Sequence, residues 1–322
     1  MPAFDFPIEK LQNYMGSSPC PDDIDQFWDR NIAEMKALDP QVELIPSKLQ
    51  FPNAEAFELY FTGVDGARIH AKYLRPKNIS KPIPGVIEFH GYGYHSGEWS
   101  EKLSWLNSGF AIASMDCRGQ GGNSQDSSSV SGNTLKGHII RGIDSGPDAL
   151  LFKKIFLDTA QLANILMSLD EVDETRLAAI GGSQGGALAL ACAALEPKIK
   201  LCAPHYPFLC DYQRVWNMDL DQNAYEELRN YFRYHDPLHQ RKEQVFNTLG
   251  YIDIQNISKR IKAKTFMACG LMDQICPPSS QHAAYNKISA EKDIVYYPDF
   301  AHERLPGWAD KVHQFILSHI DD

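Results

Sequence analysis

Apolar positions recur at helical spacing through residues 23–38, and the pattern then changes. Residues 57–74 alternate through two strand-like runs around the turn Gly63-Val64-Asp65-Gly66, which predicts an antiparallel pair of strands leading into a sheet. Short apolar runs follow at 85–89, 110–115, 177–180, 199–203, 265–268 and 294–297. Segments with broad apolar helical faces lie at 151–169, 184–195, 279–288 and 307–319. Strands alternating with helices predict an α/β fold with a mostly parallel, doubly wound sheet. Two stretches break the rhythm, a Ser/Gly-rich loop at 123–147 and a mostly helical excursion at 211–256. Both are expected as insertions over the carboxyl ends of the strands, where such sheets place their sites. Residues 1–50 read as an N-terminal helical extension. A length of 322 residues fits one decorated domain spanning 1–322.

Composition narrows the function classes. Hydrophobic residues make up 43% and charged residues 22%, the balance of a soluble globular chain. The run 177–195 carries no charge, but Gly-Gly-Ser-Gln-Gly-Gly inside it makes a buried strand, turn and helix the better reading than a membrane span. A net charge of -10 without any Lys/Arg-rich run argues against nucleic acid and anionic lipid as partners and favours a neutral or modestly charged substrate. The start, Met1-Pro-Ala-Phe-Asp-Phe-Pro-Ile-Glu-Lys, lacks a basic segment followed by an apolar run, so a cytoplasmic location is expected. Seven cysteines without a Cys-x-x-Cys pair suit neither a disulfide framework nor a zinc site. Cys117, Cys202 and Cys269 sit in or beside strand-like runs and read as small hydrophobes.

The strongest chemical signal is Ile180-Gly181-Gly182-Ser183-Gln184-Gly185-Gly186, in which Gly181-x-Ser183-x-Gly185 falls between a strand and a helix. This is the pattern of a nucleophile elbow, whose sharp turn tolerates only small flanking residues and lifts the serine to a helix N-terminus. A dinucleotide loop would need a glycine where Ser183 stands and would open a first βαβ unit. A catalytic triad on this fold then needs an acid and a histidine downstream, each just after a sheet strand. Asp273 follows the 265–268 run, and Pro277-Pro278 delays the next helix. His302 follows the 294–297 run. His302 would take the Ser183 proton, with Asp273 holding the imidazole tautomer. The Gln184 amide is the expected first oxyanion donor, and His90-Gly91-Tyr92-Gly93 after the 85–89 strand offers the Tyr92 amide as the second. The alternative for that loop is an ordinary glycine turn.

Beyond the elbow, the chain carries Arg118-Gly119-Gln120 after a strand, Gly270-Leu271-Met272-Asp273, and His302-Glu303. Together these motifs resemble carbohydrate esterase family seven, the acetyl xylan esterases and cephalosporin C deacetylases of the α/β-hydrolase superfamily. The resemblance runs from the N-terminal helix to the last one. It implies deacetylation of small acetylated sugars, such as xylo-oligosaccharides, and of related acetate esters. It further implies no metal or other cofactor, an intracellular location and a ring-like homohexamer with active sites facing an interior cavity. The chain departs from the family between residues 93 and 106, where Gly93-Tyr94-His95-Ser96-Gly97-Glu98-Trp99 replaces a longer glycine-rich stretch.

Arg118 and Gln120 read as a buried hydrogen-bonding post that fixes loops around the site, and Glu303 as a structural partner. His235 and His239 have a ligand-like spacing that Pro237 interrupts, which argues against a metal. His90, His95, Trp99 and Trp105 either line the cleft or fill the core. The rival functions are another serine hydrolase of the same fold, a peptidase or thioesterase, and a ligand-binding protein that kept the fold without the chemistry.

Overall fold

In a computed structural model, residues 4–128 and 136–322 are described. Among them, nine strands form one sheet in the order β1-β2-β3-β5-β4-β6-β7-β8-β9. Their ranges are β1 Glu43–Pro46, β2 Ala54–Thr62, β3 Arg68–Pro76, β4 Ile83–Phe89, β5 Ala111–Met115, β6 Val172–Gly182, β7 Leu201–His205, β8 Lys264–Gly270 and β9 Lys292–Tyr297. The first three strands and the β3–β5 pair run antiparallel, and β5, β4, β6, β7, β8 and β9 pair in parallel. This is the doubly wound sheet with an antiparallel lead-in that the periodicity predicts.

One strand departs from expectation. The stretch 1–50 read as a helical extension, yet it contains β1 beside the helices Ile8–Leu11 and Ile24–Lys36. The physical reason is its place at the sheet edge. Both of its faces are largely exposed and it ends in Pro46, so it shows no period-two burial pattern.

Successive residues of the central strands serve opposite faces, and the core divides accordingly. Ile87, Phe89, Ala179 and Cys202 pack with the helices Ile24–Lys36, Leu151–Met167 and Gln184–Leu195. Val86, Ile112, Ala178 and Ala203 pack under Trp105, Leu106 and the last helix, Trp308–His319. Trp105 is therefore core, stacked on His313, and Trp99 packs at the margin of the same layer. Every residue of Gln184–Leu195 is buried, as suits a helix apolar on all sides.

The chain leaves β4 to form β5 on one side and then crosses to form β6 on the other. A crevice opens at such a reversal, at the carboxyl ends of β4 and β6. Both insertions reach this end of the sheet. Residues 211–256 supply the helices Tyr212–Asn217, Glu226–His235, Lys242–Gly250 and Ile254–Ile257. Of the 123–147 loop, residues 129–135 lie outside the described ones. The N-terminal extension is tied to the larger insertion through buried Asp211. That carboxylate accepts from the Tyr14 hydroxyl at 2.8 Å and the Ser17 and Ser18 amides at 3.0 and 2.8 Å.

Candidate active site

Ser183 sits between β6 and Gln184–Leu195 at φ 57 and ψ -121, a left-handed conformation that non-glycine residues seldom adopt. Three backbone bonds hold it there. The Ser183 amide donates to His205 O at 3.1 Å, and the Ser183 carbonyl accepts from the Ala187 and Phe208 amides at 3.1 and 3.0 Å. The turn is closed tightly enough that a Cβ on Gly181 would sit on the Gly185 carbonyl, and one on Gly185 on the Phe89 carbonyl. The side chain thereby stands at the helix N-terminus, where the dipole favours developing negative charge.

The acid and the histidine predicted from the sequence converge on this serine. His302 Nε2 lies 3.0 Å from Ser183 Oγ, and His302 Nδ1 lies 2.8 Å from Asp273 Oδ2. Asp273 is fully buried, and its other oxygen accepts from the Ile275 and Cys276 amides at 2.9 and 2.8 Å. The carboxylate can only accept, so Nδ1 carries the proton and Nε2 presents its lone pair to the serine hydroxyl. The imidazole stays 17% exposed, open to the crevice on one edge. Beneath the elbow, burial and the neighbouring His302 push His205 down to about 3, so a neutral ring fills the space under Gly182.

Across the crevice, His90-Gly91-Tyr92-Gly93 extends from the end of β4. Among the described residues, neither the Tyr92 nor the Gln184 amide donates to a protein acceptor, which leaves both available at the serine. Both ring nitrogens of His90 are engaged. Its Nδ1 lies 2.7 Å from Gly91 O and its Nε2 accepts from the Cys117 amide at 3.0 Å, while burial lowers its basicity. His95 accepts from the Gly97 amide at 3.1 Å within its own loop.

The tightest group of potential metal ligands among the described residues is Asp273, Cys276 and His302, whose ligand atoms lie within 4.8 Å of one another. Asp273 is already committed to His302 and two amides, and burial pushes the Cys276 thiol well above its ordinary value.

Residues 1–319 match the acetyl xylan esterase (AXE1) family. The chain belongs to that family. Acetyl xylan esterase 1 from Thermoanaerobacterium sp. JW/SL YS485 is 54% identical, with a TM-score of 0.96 over 98% of this chain and 99% of that one. Acetyl xylan esterase from Paenibacillus sp. R4 is 36% identical, with a TM-score of 0.90 over 98% of this chain and 100% of that one. Acetyl esterase Axe7A of Xylanibacter ruminicola is 27% identical over 291 residues. That match takes in 86% of this chain and 62% of the relative, so this chain spans under two thirds of that protein's length. The acetyl xylan esterase family places the chain among the carboxylic ester hydrolases of the α/β-hydrolase fold.

Within this family member, Arg118-Gly119-Gln120 braces the crevice from behind. The Arg118 guanidinium pairs with Asp158 of Leu151–Met167 through bonds of 2.5 and 2.8 Å, both groups buried. Gln120 exchanges amide hydrogen bonds of 2.7 and 3.0 Å with Gln184 and accepts from the Gly93 amide at 2.9 Å. It thus links the elbow to the loop carrying Tyr92. Glu303 accepts from the Ala301 amide at 3.0 Å and steadies the His302 loop. Asp116, which the sequence did not single out, binds the Ser96 and Asn123 amides at 2.6 and 2.9 Å and His70 Nδ1 at 2.6 Å. Burial alone would raise its carboxyl, but these donors hold it well below the usual carboxylate range. Asp158 and His205 carry no local motif, and only the folded chain brings them to the site, whereas Asp116 and Cys276 lie beside Arg118 and Asp273 in the sequence.

Proposed function

We propose that the protein removes acetyl groups from small acetylated sugars, xylo-oligosaccharides foremost, and from related acetate esters such as cephalosporin C, through an acetyl-serine intermediate. The observation that carries this reading is His302 bridging Ser183 Oγ at 3.0 Å and Asp273 Oδ2 at 2.8 Å. Ser183 attacks the acetyl carbonyl as His302 takes its proton, and the negative charge forms where the Tyr92 and Gln184 amides can meet it. The sugar alcohol leaves with the proton from His302. Water, deprotonated by the same ring, then attacks the acetyl-serine, and acetate departs. Asp273 orients the imidazole and steadies its cation throughout. Arg118, Gln120 and Glu303 hold the loops that carry these groups.

The acetyl xylan esterases among the similar structures support acetate esters over amides as substrates. We further propose a cytoplasmic homohexamer built from one domain spanning 1–322, with the extension at 1–50 and insertions at 123–147 and 211–256. Six of seven cysteines are buried and none is paired, which suits a reducing compartment. No helix of the described residues is long and apolar enough to cross a membrane. Tyr234 and Leu238, 72% and 76% exposed on the larger insertion, are suited to a contact between subunits.

The test is acetate release from acetylated xylo-oligosaccharides and cephalosporin C, beside cleavage of a peptide amide and an acyl thioester. Turnover of the two acetate substrates with an inert amide is expected. Amide or thioester cleavage with inert acetate esters would replace the reading with one of the rival hydrolases. Absence of all four, with no fluorophosphonate labelling at Ser183, would leave a ligand-binding protein.

A further inference from the structure

Tyr92 carries more than an amide. Its side chain runs away from the crevice into a buried polar cluster built by both insertions. The phenol hydroxyl donates to Glu227 of Glu226–His235, and His138 Nδ1 lies 2.9 Å from the phenol oxygen. The other Glu227 oxygen accepts from the Ile139 amide at 2.6 Å. Glu227 is 2% exposed and His138 3% exposed, and the phenol ring is flanked edge-on by His138 and Phe208. Burial of a carboxylate is costly unless its lone pairs are filled. Burial pushes the Glu227 carboxyl up, while Tyr92 and the amides of this loop act against that rise. Burial and the nearby Arg141 hold His138 down at about 4, so the ring meets the phenol uncharged.

The backbone around Tyr92 explains why such a clamp matters. Gly91 and Gly93 flank it, and neither glycine meets a neighbour where a Cβ would stand. Gly93 adopts φ +75. Flanking glycines give the turn little steric restraint of its own, and an oxyanion donor lowers the barrier only when it already points at the forming charge. The Gly91 carbonyl accepts from the Tyr94 amide at 3.1 Å and lies 2.7 Å from His90 Nδ1, the Gly93 amide donates to Gln120, and the Tyr92 side chain adds the anchor that ties this turn to the larger insertion. We propose that Glu227 is a positioning residue for ester hydrolysis, gripping the Tyr92 phenol and thereby aiming the Tyr92 amide at the oxyanion. The proposal rests on the Ser183 esterase reading. It gives the 211–256 insertion a part in the chemical step besides any part in covering the site.

The experiment compares Tyr92→Phe, Glu227→Gln and the double variant with wild type on p-nitrophenyl acetate. Tyr92→Phe keeps ring and amide and removes only the gripped hydroxyl. Each single variant is expected to lose about tenfold or more in kcat with KM within about twofold. Affinity for a boronic acid that mimics the tetrahedral intermediate should fall in parallel. The double variant should be no slower than the slower single one, because both remove the same grip. Unchanged kcat in Tyr92→Phe, or losses that multiply in the double variant, would overturn the proposal. If Glu227→Gln fails to fold by circular dichroism, Tyr92→Phe and the boronate affinity still decide. Ser183→Ala, run alongside, separates the two claims: activity that survives Ser183→Ala sinks the esterase reading, whereas activity abolished there but untouched by Tyr92→Phe sinks only the clamp.

Discussion

Ser183 is held at φ 57, a conformation that costs on the order of 1–3 kcal/mol and persists because the surrounding backbone bonds demand it. The geometry therefore does not depend on the hydroxyl. Ser183→Ala is expected to keep its melting temperature and to lose about 10⁴-fold or more in turnover. Asp273→Asn tests the orienting role separately. Its amide would present a donor toward His302 Nδ1 and favour the wrong tautomer, and a loss of about 10⁴-fold in kcat is expected with the fold intact. Kinetics beside thermal melts check both. Either variant retaining most of its activity would remove its residue from the mechanism. The motif residues were legible because elbow, acid and base each follow a strand in a fixed chain order, which a sequence displays directly. Glu227 was not, since a glutamate in the first turn of a helix is ordinary until folding places Tyr92 against it.

The strand, turn and helix around the elbow are joined through contacts that leave no room for a methyl group. Gly185→Ala would press a Cβ onto the Phe89 carbonyl and so part the elbow helix from β4. A destabilisation of about 1–3 kcal/mol is expected, with a larger fractional loss of activity, because the displaced parts carry the two amides proposed for the oxyanion hole. Urea unfolding at fixed pH measures the first and steady-state kinetics the second, and a fully active, fully stable variant would contradict this picture of the turn. The core strands were readable from short apolar runs because burial on both faces leaves them without polar residues. Edge strand β1 was hidden for the opposite reason, as its register against β2 is set by pairing partners far along the chain.

Over the whole molecule, the N-terminal extension is fastened to the 211–256 insertion at two buried acids. Asp253 accepts from the Asp211 amide at 2.9 Å, and burial together with the Asp211 carboxylate pushes it up to about 6. A carboxyl raised on folding stabilises the protein while protonated. Its contribution is complete below the unfolded value of about 4 and is lost as pH rises through about 6. Stability should therefore fall as pH rises through this range, with the titration shared between the Asp211 and Asp253 carboxyls. Asp253→Asn should flatten that part of the stability profile in denaturant titrations taken across the range, and an unaltered slope would assign the effect elsewhere. The two insertions that meet at Tyr92 also predict size selection. At matched acetyl concentration, short acetylated oligosaccharides should release acetate faster than intact acetylated xylan. Equal rates would mean an open site.

The most direct measurement is a rapid acid quench of the enzyme during turnover of an activated acetate ester, followed by mass spectrometry of its peptides. The account predicts one acetyl group on the peptide carrying Ser183, formed in wild type and absent from Ser183→Ala. Acetate released by Ser183→Ala at the wild-type rate, with no acetylated Ser183 peptide in either protein, would contradict it.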